Sequence, residues 1–177
     1  MDHGWPSTVC PGCGLVMPGN DAGLARAGAS AACWQVYGEV AGYEAAHLAQ
    51  LGRFHQLMVD AYAAQHPTAD GPTIGLAFAL IGLRLALDEG WRGDQVRDAH
   101  QYLAGRFKDW PSFQRPPGRA ALTVFDVALA GSPDAHAELI RRWAAEVWAI
   151  WESQSEATIE LLDERLPTDV RGHITRD

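Results

Sequence analysis

Three cysteines and seven histidines are the residues of this 177-residue chain best suited to inner-sphere chemistry. Two of the cysteines form the turn CPGCG, Cys10 to Gly14. A Cys-x-x-Cys turn suits zinc because two thiolates must reach one ion at about 2.3 Å, and Pro11 with the glycines lets the backbone curl so that N–H groups face the sulfurs. The third cysteine, Cys33, lies just after Ser30, a natural helix cap. A thiolate in the first helical turn gains from the helix dipole, so Cys10, Cys13 and Cys33 are the expected zinc ligands. The fourth position is open at this level: His3, Glu39, a residue from another element or water would each serve, and an open position would mark a catalytic metal.

His55 sits among Leu51, Phe54, Met58, Val59 and Tyr62, on a helical face expected to be buried. Its ordinary pKa lies near neutrality, so it is the candidate general acid or base, with Tyr62 beside it as the second candidate catalytic residue. On that reading the imidazole points inward and takes Tyr62 or Gln154 as a partner. His66 falls eleven residues later, about 16 Å along a straight helix, and reads as a helix-terminal residue bonded to the last carbonyls. Glu44 and His47 have the Glu-x-x-His spacing of di-iron bundles, but no second copy exists, so His47 reads as a core or rim histidine. Asp60 is expected to meet Arg84 or to cap a neighbour. Near the C-terminus Trp143, Val147, Ile150 and Trp151 make an aromatic seam that Gln154 and Ser155 interrupt. Trp151 and Gln154 are the candidate lining of a ligand pocket.

The elements that must carry these groups are helical. Val36, Val40, Tyr43, His47, Leu51, Phe54 and Met58 recur at spacings of three and four, as one long helix or two in line, bent near Gly38, Gly42 or Gly52. Pro67 stops that stripe. An apolar helix over about 73–89 follows, then a more polar one from Asp94. Residues 108–119, KDWPSFQRPPGR, hold three prolines and form a loop anchored by Trp110 and Phe113. TVFD from Thr123 resembles a helix-start box, with Asp in place of the usual Glu or Gln, and opens a short helix; a last long helix runs from about Asp134 to Leu166. The expected fold is all-α: a single domain over 1–177, with an irregular knuckle arm at 1–30, an antiparallel bundle of about five helices at 31–166 and a tail at 167–177.

Composition narrows the function classes. Fourteen Lys and Arg against 22 Asp and Glu give a net charge of −8, which leaves no basic stripe for nucleic acid. The most apolar stretch, Pro72 to Gly90, is short for a bilayer span and contains Arg84. The first ten residues show no basic segment followed by an apolar run, so a cytoplasmic, reducing compartment is expected, with no membrane partner. No phosphate loop, nucleophile elbow or dinucleotide fingerprint is present.

Taken together, CPGCG, AACWQVYGEV, FHQLMVDAYAAQHP, ALTVFDV and RRWAAEVWAIW resemble an uncharacterised bacterial domain-of-unknown-function family, common in actinobacteria, over nearly the whole chain. The resemblance implies a cytosolic helical protein with a cysteine knuckle, and Cys10, Cys13, Cys33, His55 and His66 match its pattern. It also implies histidines where this chain has Ala79 and Gln154 or Ser155, so a histidine-based metal site around His55 would lack partners here. Two functions follow as expectations. One is a small-molecule enzyme or binding protein with a pocket near His55, Tyr62, Trp151 and Gln154. The other is an interaction module whose knuckle and Trp110–Phe113 loop face a protein partner. Substrate and oligomeric state are not legible.

Overall fold

A computed structural model of the chain describes residues 7–18, 28–68 and 73–176. The class is helical, as the periodicity predicts, but the helices are more numerous and the arm more regular. Strands β1 (Ser7–Val9) and β2 (Val16–Pro18) pair antiparallel, with Val9 opposite Val16, so the CPGCG turn closes a hairpin within an arm expected to be irregular. Three-residue strands show no sequence period, which is why the hairpin escapes pattern reading.

Helix α1 (Ala31–Ala46) starts where Ser30 caps it, the serine Oγ accepting from the Cys33 N–H at 3.2 Å. It ends at His47, whose ring folds back onto Tyr43 and whose Nδ1 lies 2.9 Å from the Tyr43 carbonyl. A single turn, α2 (Leu48–Leu51), then leads through Gly52 to Phe54 into α3 (His55–Gln65). Here the structure corrects the sequence. The two halves of the stripe are not in line: the chain doubles back between His47 and Phe54. Across the resulting hairpin His55 Nδ1 meets Glu44 Oε2, the Tyr37 and Tyr62 rings lie 4.3 Å apart, and Cys33 meets His66.

Helix α4 (Thr73–Leu87) is apolar almost all round and packs against α3 on one side. Its neighbours also include α5 (Gly93–Arg106), α7 (Pro133–Ile150) and α8 (Ser155–Arg165). Leu80, Ile81, Leu83 and Leu85 are buried, and Arg84 leaves the core to pair with Asp88 at 2.5 Å. Short α6 (Val124–Ala128) carries the expected box: the Thr123 and Asp126 side chains cap each other's backbone. Ser132 and Pro133 start α7. The long last helix is interrupted at Trp151 by a 3-10 turn, Glu152–Gln154, before α8. The expected tail contains α9 (Thr168–Ile174).

Trp143 and Trp151 fill the seam between α3 and α7. Each satisfies its indole N–H, to Gln65 Oε1 and to the Ala64 carbonyl, both at 3.1 Å. Among the described residues no helix is long and apolar enough to cross a membrane.

Candidate metal centre

The hairpin turn is tightly organised. The Cys10 N–H donates to the Leu15 carbonyl, the Gly14 N–H to the Cys10 carbonyl, and Gly14 takes φ +82° to close the turn. This presents Cys10 and Cys13 to the N-terminus of α1, where Cys33 stands, and to the C-terminus of α3, where His66 follows the last helical residue. The Sγ atoms of Cys10, Cys13 and Cys33 and a ring nitrogen of His66 all lie within 4.8 Å of one another, and all four residues are buried.

Two of the donor–donor distances match the edges of a coordination tetrahedron. Bonds of 2.3 Å to two sulfurs place them about 3.8 Å apart at the tetrahedral angle, and Cys13 Sγ lies 3.8 Å from Cys33 Sγ. That is far beyond a disulfide bond of about 2.05 Å. One sulfur and one imidazole nitrogen on the same ion are separated by about 3.5 Å, against 3.3 Å between Cys33 Sγ and His66 Nε2.

The imidazole is set for this role. His66 Nδ1 donates to the Tyr62 carbonyl at 2.8 Å, so Nε2 is the nitrogen left for the cluster. Both features of His66 therefore hold together: it bonds the last turn of α3, as the sequence suggests, and its second nitrogen completes the donor set, which the sequence does not suggest. Glycine at position 12 is dictated by the same ring. A Cβ there would lie 2.2 Å from His66 Cδ2.

The surroundings add donors and cover. The Ser30 N–H reaches Cys10 Sγ at 3.4 Å and the Tyr62 hydroxyl reaches Cys33 Sγ at 3.7 Å. Tyr62 stacks on His66, with ring centroids 4.1 Å apart. From the proline-rich loop Arg115 donates to the Pro11 and Gly12 carbonyls, tying the knuckle down from outside. Hydrogen bonds from Cys13 and Cys33 hold the Cys10 thiol well below its usual range, while contacts with Cys10 and Cys13 push Cys33 up. Burial pulls His66 down, but hydrogen bonds to Cys10 and Cys13 outweigh it and raise His66 to about 9. A divalent cation at the centre would take the place of those shared protons.

Of the other named fourth-ligand candidates, only Glu39 lies among the described residues, and it is not part of this cluster. His3 lies outside the described residues. Glu39 is exposed on α1 beside a cavity with Tyr43 and His136.

The sequence model of a family of unknown function, DUF5946, matches residues 8–152, a span that contains all four donors. The chain belongs to DUF5946. No similar protein is found among curated proteins or among solved structures.

In this DUF5946 chain the remaining candidates fall into separate places. His55 is half-exposed rather than turned inward, and its partner is neither Tyr62 nor Gln154: Nδ1 lies 2.5 Å from Oε2 of Glu44. That hydrogen bond raises the His55 pKa against the opposing effect of burial. Glu44 is 1% exposed, and its other oxygen lies 3.4 Å from Nε2 of buried His136. One carboxylate thus joins two imidazoles. Glu44 uses neither His47 nor a metal-bundle geometry, and His136, a single histidine in a polar stretch, gives no sequence signal of this contact. Tyr62 stands with the metal ligands. Trp151 borders a cavity of about 20 Å³, room for one water, and the Gln154 side chain donates to the neighbouring Ser153 carbonyl. The structure does not bring Trp151 and Gln154 to His55. Asp60, an expected partner for Arg84, instead accepts from Gln56 at 3.0 Å.

Proposed function

We propose that Cys10, Cys13, Cys33 and His66 bind one zinc ion, and that this zinc is structural. The observation that carries the proposal is the set of four buried protein donors, all within 4.8 Å of one another. Three thiolates and one imidazole are a common structural zinc set, whereas catalytic zinc keeps a position for water. Such an ion would fasten the knuckle hairpin to the ends of α1 and α3, joining parts of the chain that otherwise share few contacts.

The chemistry or binding of the chain then belongs elsewhere, and we assign it to the opposite end of α3, about 16 Å from His66 along the helix. The protein is read as a cytoplasmic small-molecule enzyme or binding protein, with the His55 imidazole, steadied by Glu44, as its acid–base group. Its ring borders an open cleft with Arg53, Arg92 and Arg97. The alternative, a protein-interaction module, draws support from the exposed Val9 and Val16 pair on the hairpin. It draws none from Trp110, which packs edge-on against Phe78, or from Phe113, which packs onto the core.

Chelation followed by hydrogen exchange tests the structural assignment. Loss of metal is expected to release amide protection in residues 7–18 and the first turn of α1 before α4 and α7 respond. Simultaneous loss everywhere, or no change in the hairpin, would contradict it.

A further inference from the structure

A cavity of about 310 Å³ lies between the start of α3, the end of α4 and the start of α5, at the lower end of the range for small-ligand sites. Its depth is polar in an unusual way. Asp60 is 3% exposed, and while its Oδ1 accepts from Gln56, Oδ2 has no hydrogen-bond partner. A buried acceptor without a partner costs free energy, so its persistence calls for an explanation. Gly82 on α4 makes room for the carboxyl, since a Cβ there would fall 2.0 Å from Oδ2. Leu57, Leu87, Trp91 and Val96 supply apolar walls.

The rim has the opposite character. Arg53 and Arg141 both stand over the Phe54 ring, 4.7 and 4.5 Å from its centre. Arg141 also pairs with Glu138, and Arg92 with Asp94. Arg53 has no carboxylate partner among the described residues. It is shared with the cleft that holds His55, so the cavity opens beside that imidazole. In a chain of net charge −8, a rim carrying three arginines is a local departure.

We propose that this cavity binds a small amphiphilic anion: an aromatic or branched apolar body with an acidic group at one end and an N–H or O–H donor at the other. The donor end is received by Asp60 in the depth of the cavity and the acidic end by Arg53 on its rim. The inference rests on the small-molecule reading above and names the place and chemical class of its ligand.

Two probes separate the terms. 6-Hydroxynaphthalene-2-sulfonate carries an O–H at one end of an aromatic body and the anion at the other; 2-naphthol has the same body and O–H without the anion. Both are titrated into the zinc-replete full chain, with melting curves as the fold control. One sulfonate probe per chain is expected, bound about tenfold tighter than the neutral probe. Arg53→Gln, at an exposed position, should remove that preference and leave the neutral probe unchanged. Leu87→Trp, on a half-buried wall, should abolish both, and Asp60→Leu should weaken both about tenfold. Non-saturable binding, or wild-type affinities in folded Arg53→Gln and Leu87→Trp, would overturn the proposal. A metabolite that raised the melting temperature of wild type and Leu87→Trp equally would also overturn it, while leaving the small-molecule reading intact.

Discussion

Cys33 Sγ, in the first turn of α1, lies 3.3 Å from His66 Nε2, one residue past the end of α3. Thirty-two residues of chain separate the two, leaving the candidate metal centre and returning to it. The doubling-back at His47 to Phe54 is therefore what creates the site, and the same hairpin sets Glu44 against His55 eleven residues away.

His66→Ala removes the only nitrogen donor of the cluster while leaving the three thiols. Zinc affinity is expected to fall by more than tenfold, measured by competition with a chromophoric chelator, and the residual ion should exchange its open position with water. Tyr62→Phe removes only the hydroxyl that reaches Cys33 Sγ, so a loss of about tenfold or less is expected. If Tyr62→Phe left affinity untouched, the hydroxyl would have no part in the site.

Gly12→Ala tests the packing of the turn on the ligand. Its Cβ would sit 2.2 Å from His66 Cδ2 and 2.9 Å from the Gly28 carbonyl, so the imidazole or the knuckle must move. Reduced zinc retention is expected, with the far-ultraviolet helical signal preserved. Normal retention would show that the turn does not rest on the ring.

The His55–Glu44 contact makes a prediction about pH. The folded pKa of His55 is raised, so the pair contributes stability below the unfolded value of about 6.5, and that contribution is lost as pH rises through the folded value. A proton NMR titration should place the His55 midpoint above 6.5 in the wild type and lower it in Glu44→Gln. An unchanged midpoint in the variant would remove Glu44 as the cause. His55→Ala, at a half-exposed position, should lower the melting temperature only modestly, and more below the folded pKa than above it. If His55 is the acid–base group, the same variant loses ligand response or activity.

Leu83→Asp places a charge where α4 is fully buried, with Leu80 and Leu85 on the same helix. Burial of an unpaired carboxylate together with lost packing is expected to cost more than about 4 kcal/mol and to prevent recovery of folded protein. A folded, normally melting variant would mean that α4 is not central.

Features written locally were legible in the sequence. The CPxCG turn, the Ser30 cap, the Thr123–Asp126 box and the Pro67 stop each depend on residues within a few positions of one another, and each is seen. What failed was direction. The stripe from Val36 to Met58 keeps its spacing through the break at His47, so periodicity alone extends one axis through a hairpin. With the axis wrong, His66 stood far from Cys33 and Glu44 far from His55. The interruption at Trp151 and the pairing of Glu44 with His136 were hidden for the same reason: both arise from packing between distant segments rather than from neighbours in the chain.

X-ray absorption at the zinc edge, on protein purified without added metal, tests the central claim most directly. About one zinc per chain is expected, with three sulfurs near 2.3 Å and one nitrogen near 2.0 Å, the nitrogen being absent in His66→Ala. Less than about a tenth of an equivalent of zinc, or a wild-type spectrum unchanged by His66→Ala, would contradict a metal centre built from Cys10, Cys13, Cys33 and His66.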